Sequence, residues 1–303
     1  MHRIFITGGT GLFGKSILDY RLRHPEFLRD AELTILSRDP TAFKAANPIL
    51  ANQSGVTFVA GDVRDFNLTD VEFDAIIHAA TPAVTTLSDD EMYSTIVDGT
   101  RHVLEFAKVC RAKRILFTSS GAVYGPQSSA ADENVATNPT TAYGRGKLVA
   151  ERLCIESGIP TCIARCFAFT GPYLNRHIHY AIGNFIQDCL DGKDIVIKGD
   201  GTPLRSYMFA DDLVEWLFAI LEHGNPGRVY NVGSDVAISI RDLAMTVREC
   251  LNASSEIKVL GQPVFGAANV YIPDVSRIIK ELGVSITTEL PDAIRASISA
   301  DIK

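Results

Sequence analysis

The sequence of 303 residues carries 29 Lys and Arg against 36 Asp and Glu, a formal net charge of −7 with His neutral. Such an acidic surplus excludes nucleic acid and anionic membrane as main partners, since both are held through clustered cations, but it leaves room for a local Arg site on a small phosphate ligand. With 46% hydrophobic and 21% charged residues, the chain has a full core to bury and no large disordered share. One large α/β domain, or a main domain with a smaller lobe, is expected at this length.

In chain order, RIFIT (3–7) reads as a strand and GLFGKSILDYRL (11–22) as a helix. Strand-like ELTILS (32–37), VTFVAG (56–61) and DAIIHAA (74–80) follow, then a helix around 93–109 and the strand RILFTSS (114–120). A long helix around 142–157 leads to TCIARCF (161–167). These strands are nearly all apolar, as in a parallel sheet covered by helices on both faces. The alternation predicts a doubly wound α/β fold of the Rossmann kind, whose ligands lie beyond the carboxyl ends of the strands.

After Gly171-Pro172 the pattern loosens. A helix near 178–191 precedes IVIKG (195–199), the polar loop GDGTPLRS (199–206) and a helix capped by Asp211 or Asp212. VYNVG (229–233) reads as a further strand, Ser239 and Asp242 as the capping pair of helix 240–251, and Pro291 as part of the first turn of a last helix. The expected division is a dinucleotide-binding domain over 1–170, to which 207–238 returns, and a smaller C-terminal α/β lobe from 171–206 and 239–303. The six cysteines (Cys110, Cys154, Cys162, Cys166, Cys189, Cys250) show no paired framework, and Cys162 and Cys166 read as same-face core residues. With no basic-then-apolar leader and no apolar run approaching about 18 residues, a cytoplasmic protein with no membrane span is expected.

Three signals carry chemistry. The first is TGGTGLFG (7–14), which sets Gly8, Gly11 and Gly14 on the first strand-to-helix turn. Glycines there let the backbone approach a pyrophosphate, whose charge meets the free N–H groups of the helix. The second is the end of the next strand, Ser37-Arg38-Asp39. An acidic residue there would accept the ribose hydroxyls of NAD, whereas Arg pairs with a 2′-phosphate, so Arg38 favours NADP while Asp39 keeps NAD open. Asp62 and Val63, after the third strand, would lie near the adenine, or Asp62 would simply cap a turn. The third signal is Tyr143 and Lys147, four apart and therefore on one helix face, with Ser119 and Ser120 closing a strand upstream. A phenol is a poor base near neutral pH, and a neighbouring ammonium favours its phenolate; a serine hydroxyl can hold the substrate oxygen. Alone, Tyr143 and Lys147 would be an ordinary helix residue and a surface charge. His177 and His179 lack a third ligand, so no metal is expected.

With these stretches in place, the chain resembles the extended short-chain dehydrogenase/reductases of the NAD-dependent epimerase/dehydratase group, the sugar-nucleotide-modifying branch. The matching stretches are TGGTGLFG, HAA (78–80), DGTRHVLE (98–105), SSGAVYG (119–125), YGRGK (143–147), RCFAFTGP (165–172), GDGTPLRSYMFADD (199–212), YNVGS (230–234) and DVSRIIKELG (274–283). The resemblance implies a catalytic set of Ser120, Tyr143 and Lys147. It implies a dinucleotide over Gly8, Thr10, Gly11, Leu12, Phe13 and Gly14, beside Ser37, Arg38, Asp62 and Val63, and along Ala79, Ala80, Thr81, Ser119 and Phe167 to Tyr143 and Lys147. A nucleoside-diphosphate sugar would meet Thr81, Ser120, Gly121, Tyr143, Ala168, Asn184 and Arg205, with Arg205 on its phosphates. By the same resemblance, the two long helices 93–109 and 142–157 would form a dimer bundle, so a homodimer is expected.

The sequence also departs from the group. Gly121-Ala122 stand where dehydratases carry an Asp-Glu pair, Ala168 and Ile96 stand where Asn is usual, and 258–273 offers only Lys258 as a cation. The expected activity is an NAD(P)-dependent oxidoreductase on a nucleotide sugar, a 4-keto-6-deoxyhexose reductase using NADPH with Tyr143 as general acid. The alternative is an NAD-dependent nucleotide-sugar 4-epimerase. A non-enzymatic NADP-binding redox sensor needs the glycine turn but not Ser120, Tyr143 and Lys147 together.

Overall fold

The apolar runs of the first half fold as strands buried on both faces. The computed structural model describes residues 1–81, 87–177, 180–262 and 269–298. Its first part runs β1 (Arg3–Thr7), α1 (Leu12–Arg23), β2 (Glu32–Ser37), α2 (Pro40–Ala46), α3 (Pro48–Ala51), β3 (Val56–Ala60), β4 (Ala75–His78), α4 (Asp89–Val109), β5 (Arg114–Ser120), a 3-10 turn (Gly121–Tyr124), α5 (Ala142–Glu156) and β6 (Thr161–Cys166). The second part runs β7 (Phe169–Thr170), α6 (Ala181–Leu190), β8 (Ile195–Ile197), β9 (Leu204–Arg205), β10 (Met208–Phe209), α7 (Ala210–His223), β11 (Val229–Val232), β12 (Ile238–Ser239), α8 (Ile240–Cys250), β13 (Ile257–Val259), β14 (Val270–Tyr271), α9 (Ser276–Leu282) and α10 (Leu290–Ser297).

Among the described residues, seven strands form one sheet in the order β11-β6-β5-β4-β1-β2-β3, every neighbouring pair parallel. Ile6 of β1 faces Ile35 of β2 on one side and Ile77 of β4 on the other. The order reverses between β1 and β4, and the crevice at the carboxyl ends of these two strands is where such a sheet takes a ligand. Alternate residues go to opposite faces. Ile4, Ile6, Leu33, Ile35, Ile77 and Leu116 pack with α1 and α7, whereas Phe5, Leu36, Ile76, Ile115 and Phe117 pack with α4 and α5. A third cluster, built on Ile182, Phe185, Ile186, Ile195, Leu243, Val247 and Ile294, is the core of the smaller lobe.

Local signals set several boundaries. Ser239 caps α8 through the Asp242 N–H at 3.0 Å and donates to its carboxylate at 2.7 Å, and Pro291 lies in the first turn of α10. α4 begins at Asp89, earlier than its apolar period suggests, because Ser88 and Glu91 form a reciprocal capping box. Neither Asp211 nor Asp212 caps α7, whose N-cap is Phe209. Partners from distant segments take both carboxylates: Asp211 pairs with Arg23 at 2.6 Å, and buried Asp212 accepts the Thr287 N–H at 2.9 Å and its hydroxyl at 2.6 Å. Cys162 and Cys166 are buried free thiols on one face of β6. No described helix is long and apolar enough to cross a membrane.

Candidate active site

The glycine turn closes the end of β1. Gly8 has a φ of +74°, and a Cβ there would fall 2.4 Å from the Ala79 carbonyl oxygen at the end of β4; one at Gly14 would fall 2.1 Å from the Gly9 Cα. Both positions require glycine for close backbone approach. Gly11 is the N-cap of α1, no side chain caps that helix, and its first turn holds no acid. Thr10, Leu12 and Phe13 are part-exposed around it. First-turn N–H groups have no partner inside a helix, so this end is suited to an anion.

At the end of β2 the small, buried Ser37 stands in place of a carboxylate, and Arg38 is exposed. The Asp39 carboxylate accepts the Ala42 N–H at 2.9 Å and caps α2. Asp62 is held by Arg64, at 2.8 Å to its Nε; that hydrogen bond above all, with Arg38 as a smaller influence, lowers the Asp62 pKa. Val63 is buried behind it. At the end of β4, His78 lies between the Thr7 hydroxyl at 2.7 Å and the Thr100 hydroxyl at 3.0 Å. Burial lowers its pKa to about 3, so it is a neutral bridge. Thr7 accepts the Ala80 N–H at 3.2 Å, which fixes the Ala79–Ala80 segment opposite Gly8; Thr81 ends that described stretch.

Ser120, Tyr143 and Lys147 come together. Thr141 caps α5 through the Gly144 N–H at 3.0 Å, so Tyr143 and Lys147 share its inner face. The Ser120 hydroxyl lies close enough to the Tyr143 phenol to lower its pKa, but burial dominates and holds it above the ordinary value. The expected pull of Lys147 is not among the influences on that phenol; burial leads, because a phenolate in this apolar setting would lose its hydration. The buried Lys147 ammonium donates to the Thr118 carbonyl at 2.7 Å and lies 4.8 Å over the Phe117 ring; burial brings its own pKa down to about 8. The Ser119 hydroxyl donates to Glu151 at 2.5 Å.

The lobe closes the other side. Arg205 on β9 donates to the Leu204 and Asn269 carbonyls at 2.8 and 3.0 Å, and no carboxylate among the described residues pairs with it. Burial lowers its pKa, with Tyr207 and Tyr271 opposing. β14 pairs with β9 so that Tyr271 lies beside Arg205. The Tyr271 phenol is 3.4 Å from the Ser120 hydroxyl and its ring 4.8 Å from Phe167; burial pushes its pKa up to about 12. Gly121 is buried under Phe167, since a Cβ would lie 2.8 Å from that ring, so packing accounts for this glycine. Ala168 is half-buried and its carbonyl accepts the Met208 N–H at 3.0 Å. Asn184 sits in the first turn of α6, just after Tyr180, whose phenol is close enough to raise the pKa of both Tyr143 and Tyr271.

Tyr271, Tyr180 and Tyr207 are absent from the sequence reading. Two-residue strands leave no periodicity, and the signal at hand was the position of Tyr271 three residues before the DVSRIIKELG stretch. His177 is exposed, His179 lies outside the described residues, and no group of metal ligands occurs among the described residues.

Comparison with known proteins bears on the family and the fold. A model of the NAD dependent epimerase/dehydratase family matches residues 4–233. UDP-glucuronic acid decarboxylase 3 of Arabidopsis thaliana is 32% identical over 273 residues, which cover 85% of this chain and 77% of that protein. Among solved structures, UDP-glucuronic acid 4-epimerase from Bacillus cereus, in complex with UDP-glucuronic acid and NAD, superposes with a TM-score of 0.84 at 24% identity over 98% of each chain. UDP-glucose 4-epimerase with UDP-glucose from Thermotoga maritima gives 0.85 at 20% identity, over 99% of this chain and 98% of that one. At these identities the structural likeness is one of fold.

Proposed function

The chain belongs to the NAD-dependent epimerase/dehydratase family, and from that premise we propose that it is an NAD(P)-dependent epimerase acting at C4 of a nucleoside-diphosphate sugar. The observation that carries this reading is the buried cluster of Ser120, Tyr143 and Lys147 facing Tyr271 and Arg205, with Gly121 and Ala122 where a proton-carrying acid pair would have to sit. Removing water from the hexose calls for such carriers; moving a proton on and off the C4 oxygen needs only the hydroxyl pair. This places the 4-epimerase ahead of the expected 4-keto-6-deoxyhexose reductase, since the relatives and structures named above are decarboxylases and epimerases.

The glycine turn, the uncapped start of α1 and the Ala79–Ala80 segment fit a dinucleotide, and Gly8, Thr10, Gly11, Leu12, Phe13 and Gly14 would hold its pyrophosphate. The bound dinucleotide supplies the hydride acceptor and donor. The Ser120 hydroxyl orients the C4 oxygen. The Tyr143 side chain acts as a phenolate when it accepts the proton of that oxygen, the Lys147 ammonium favouring this charged form, and as a phenol when it returns the proton. Arg205, a half-buried cation with no carboxylate partner among the described residues, would bind the sugar nucleotide's phosphates. For the cofactor we propose NADP, because Asp39 is committed to its helix cap and Ser37-Arg38 leave a hydroxyl and a cation at the ribose; the Bacillus cereus structure, which holds NAD, supports the alternative. A cytoplasmic homodimer through α4 and α5 completes the proposal.

The test is incubation of cofactor-loaded protein with UDP-glucose and with UDP-glucuronic acid, the products being separated and weighed by mass spectrometry. An epimer of unchanged mass is expected, and its formation should fall by roughly a thousandfold in Tyr143→Phe. A second reading, decarboxylation of a uronic acid, is favoured by the 32% identity to the plant decarboxylase. A lighter pentose nucleotide with release of carbon dioxide would replace the first reading by the second.

A further inference from the structure

Beneath the Ser120–Tyr143 pair lies a buried ion pair that the proton transfer does not use. Glu151 follows Lys147 by four residues, as Lys147 follows Tyr143, so α5 carries all three along adjoining turns of one face. Glu151 is 3% exposed and Arg165 of β6 is 6% exposed. Arg165 Nε and Nη2 donate to the two carboxylate oxygens of Glu151 at 3.0 and 2.8 Å. Ser119 Oγ donates to the same carboxylate, and Ser119 pairs with Arg165 in the β5–β6 register, one step before Ser120 pairs with Cys166. The strand that ends in Ser120 is therefore tied, one residue earlier, to the helix that carries Tyr143.

The same ion pair reaches the lobe. The Arg165 guanidinium lies 4.8 Å over the Tyr124 ring, and the Tyr124 hydroxyl donates to Asn231 Oδ1 at 2.8 Å. Asn231 Nδ2 donates to the carbonyls of Ala131 and Asp274 at 2.7 and 3.0 Å. Ala131 in turn donates to the Ile272 carbonyl at 3.0 Å and accepts the Asp274 N–H at 2.9 Å. These bonds hold the segment that presents Tyr271 to Ser120, so the contacts run in a closed loop from Ser120 through Glu151, Arg165, Tyr124 and Asn231 back to Ser120. Two charges taken out of water gain little stability that packed apolar side chains would not supply equally well. What the guanidinium–carboxylate fork adds is fixed direction as well as distance.

We infer that Glu151 and Arg165 are positioning residues, whose ion pair holds Ser120, Tyr143 and Tyr271 in one arrangement through Ser119 on one side and through Tyr124 and Asn231 on the other. The inference rests on the reading of Ser120 and Tyr143 as the proton-handling pair. Its test uses the cofactor-loaded full chain with UDP-glucose and UDP-glucuronic acid as probe substrates. It compares the wild type with Glu151→Leu combined with Arg165→Met, with Ser119→Ala, and with Tyr143→Phe. The double variant should melt close to the wild type and keep its KM within about twofold, while kcat falls at least roughly tenfold, as expected when reacting groups are displaced by a fraction of an ångström. Ser119→Ala leaves the ion pair in place and should lower kcat by about threefold to tenfold at unchanged KM. A folded double variant with wild-type kcat overturns the inference. If the double variant does not fold, Ser119→Ala decides, and an unchanged kcat there overturns it. Undiminished turnover by Tyr143→Phe would be a separate failure, that of the catalytic reading itself.

Discussion

The two walls of the crevice are built differently. The wall made by β1, β2, β4 and the start of α1 is mostly backbone: Gly8 against Ala79, the uncapped first turn of α1, and the segment fixed by Thr7 and His78. The wall made by β9, β14 and α6 is side chains, with Arg205, Tyr207, Tyr271 and Tyr180 arriving from separate segments. A backbone wall tolerates almost any residue that leaves its path unchanged, and fails at the few positions where a Cβ blocks it. A side-chain wall degrades in proportion to the group removed. The first suits a cofactor common to many enzymes and the second a substrate peculiar to one.

The largest expected effect breaks the backbone wall. Gly8→Ala puts a methyl 2.4 Å from the Ala79 oxygen at a φ of +74°, and the displaced turn should weaken dinucleotide binding by roughly a hundredfold or more. Fluorescence titration with NAD and NADP would measure this, and near-normal affinity would mean that the turn is not the pyrophosphate site. The next effect concerns the floor between the walls. Burial holds the Lys147 pKa at about 8 in the folded protein against 10.5 for an unperturbed lysine. Between these values the unfolded chain binds more protons than the folded one, so stability rises with pH across that window. Below about pH 8 the protein carries the whole cost of the buried ammonium, on the order of 3 kcal/mol. Denaturant melts of cofactor-free wild type and Lys147→Met from pH 7 to pH 10 should show the wild type gaining on the variant, and parallel curves would show that the ammonium is not strained there.

The same contrast explains what was legible in the sequence. The alternation of apolar strands and helices, the glycine turn, the Tyr143–Lys147 spacing and the Ser239–Asp242 cap are local, and each survives intact in the folded chain. Asp39 and Asp62 took local partners, the turn role that the sequence leaves open for both. Asp211 and Asp212 were read less well, because their partners, Arg23 and Thr287, are tertiary. The Ser119 hydroxyl goes to Glu151, thirty-two residues away, a partner that no local spacing points to. Tyr271 over Ser120 was missed altogether, since a two-residue strand such as β14 exists only through its pairing.

The side-chain wall should give smaller, graded losses. Arg205→Ala removes a half-buried cation whose Nη1 holds the β9–β14 carbonyls. A charged hydrogen bond to phosphate contributes about 1.5–3 kcal/mol, so KM for a UDP-sugar should rise by roughly tenfold to a hundredfold with kcat little changed. A kcat loss at constant KM would instead place Arg205 among the reacting groups.

The smallest effect sharpens the comparison at the outer rim of the backbone wall, where recognition does depend on a side chain. Arg38 is exposed, so solvent and salt would weaken the proposed pairing with a ribose 2′-phosphate. Arg38→Ala should cost about tenfold in NADPH affinity at low salt and leave NADH affinity within about twofold, with the difference shrinking as salt is raised. Equal losses for both cofactors would remove the argument for NADP and leave NAD, whose ribose hydroxyls would then have to be met by Ser37 and backbone rather than by a carboxylate. Isothermal titration of the two reduced cofactors against wild type and variant separates these cases without any knowledge of the sugar.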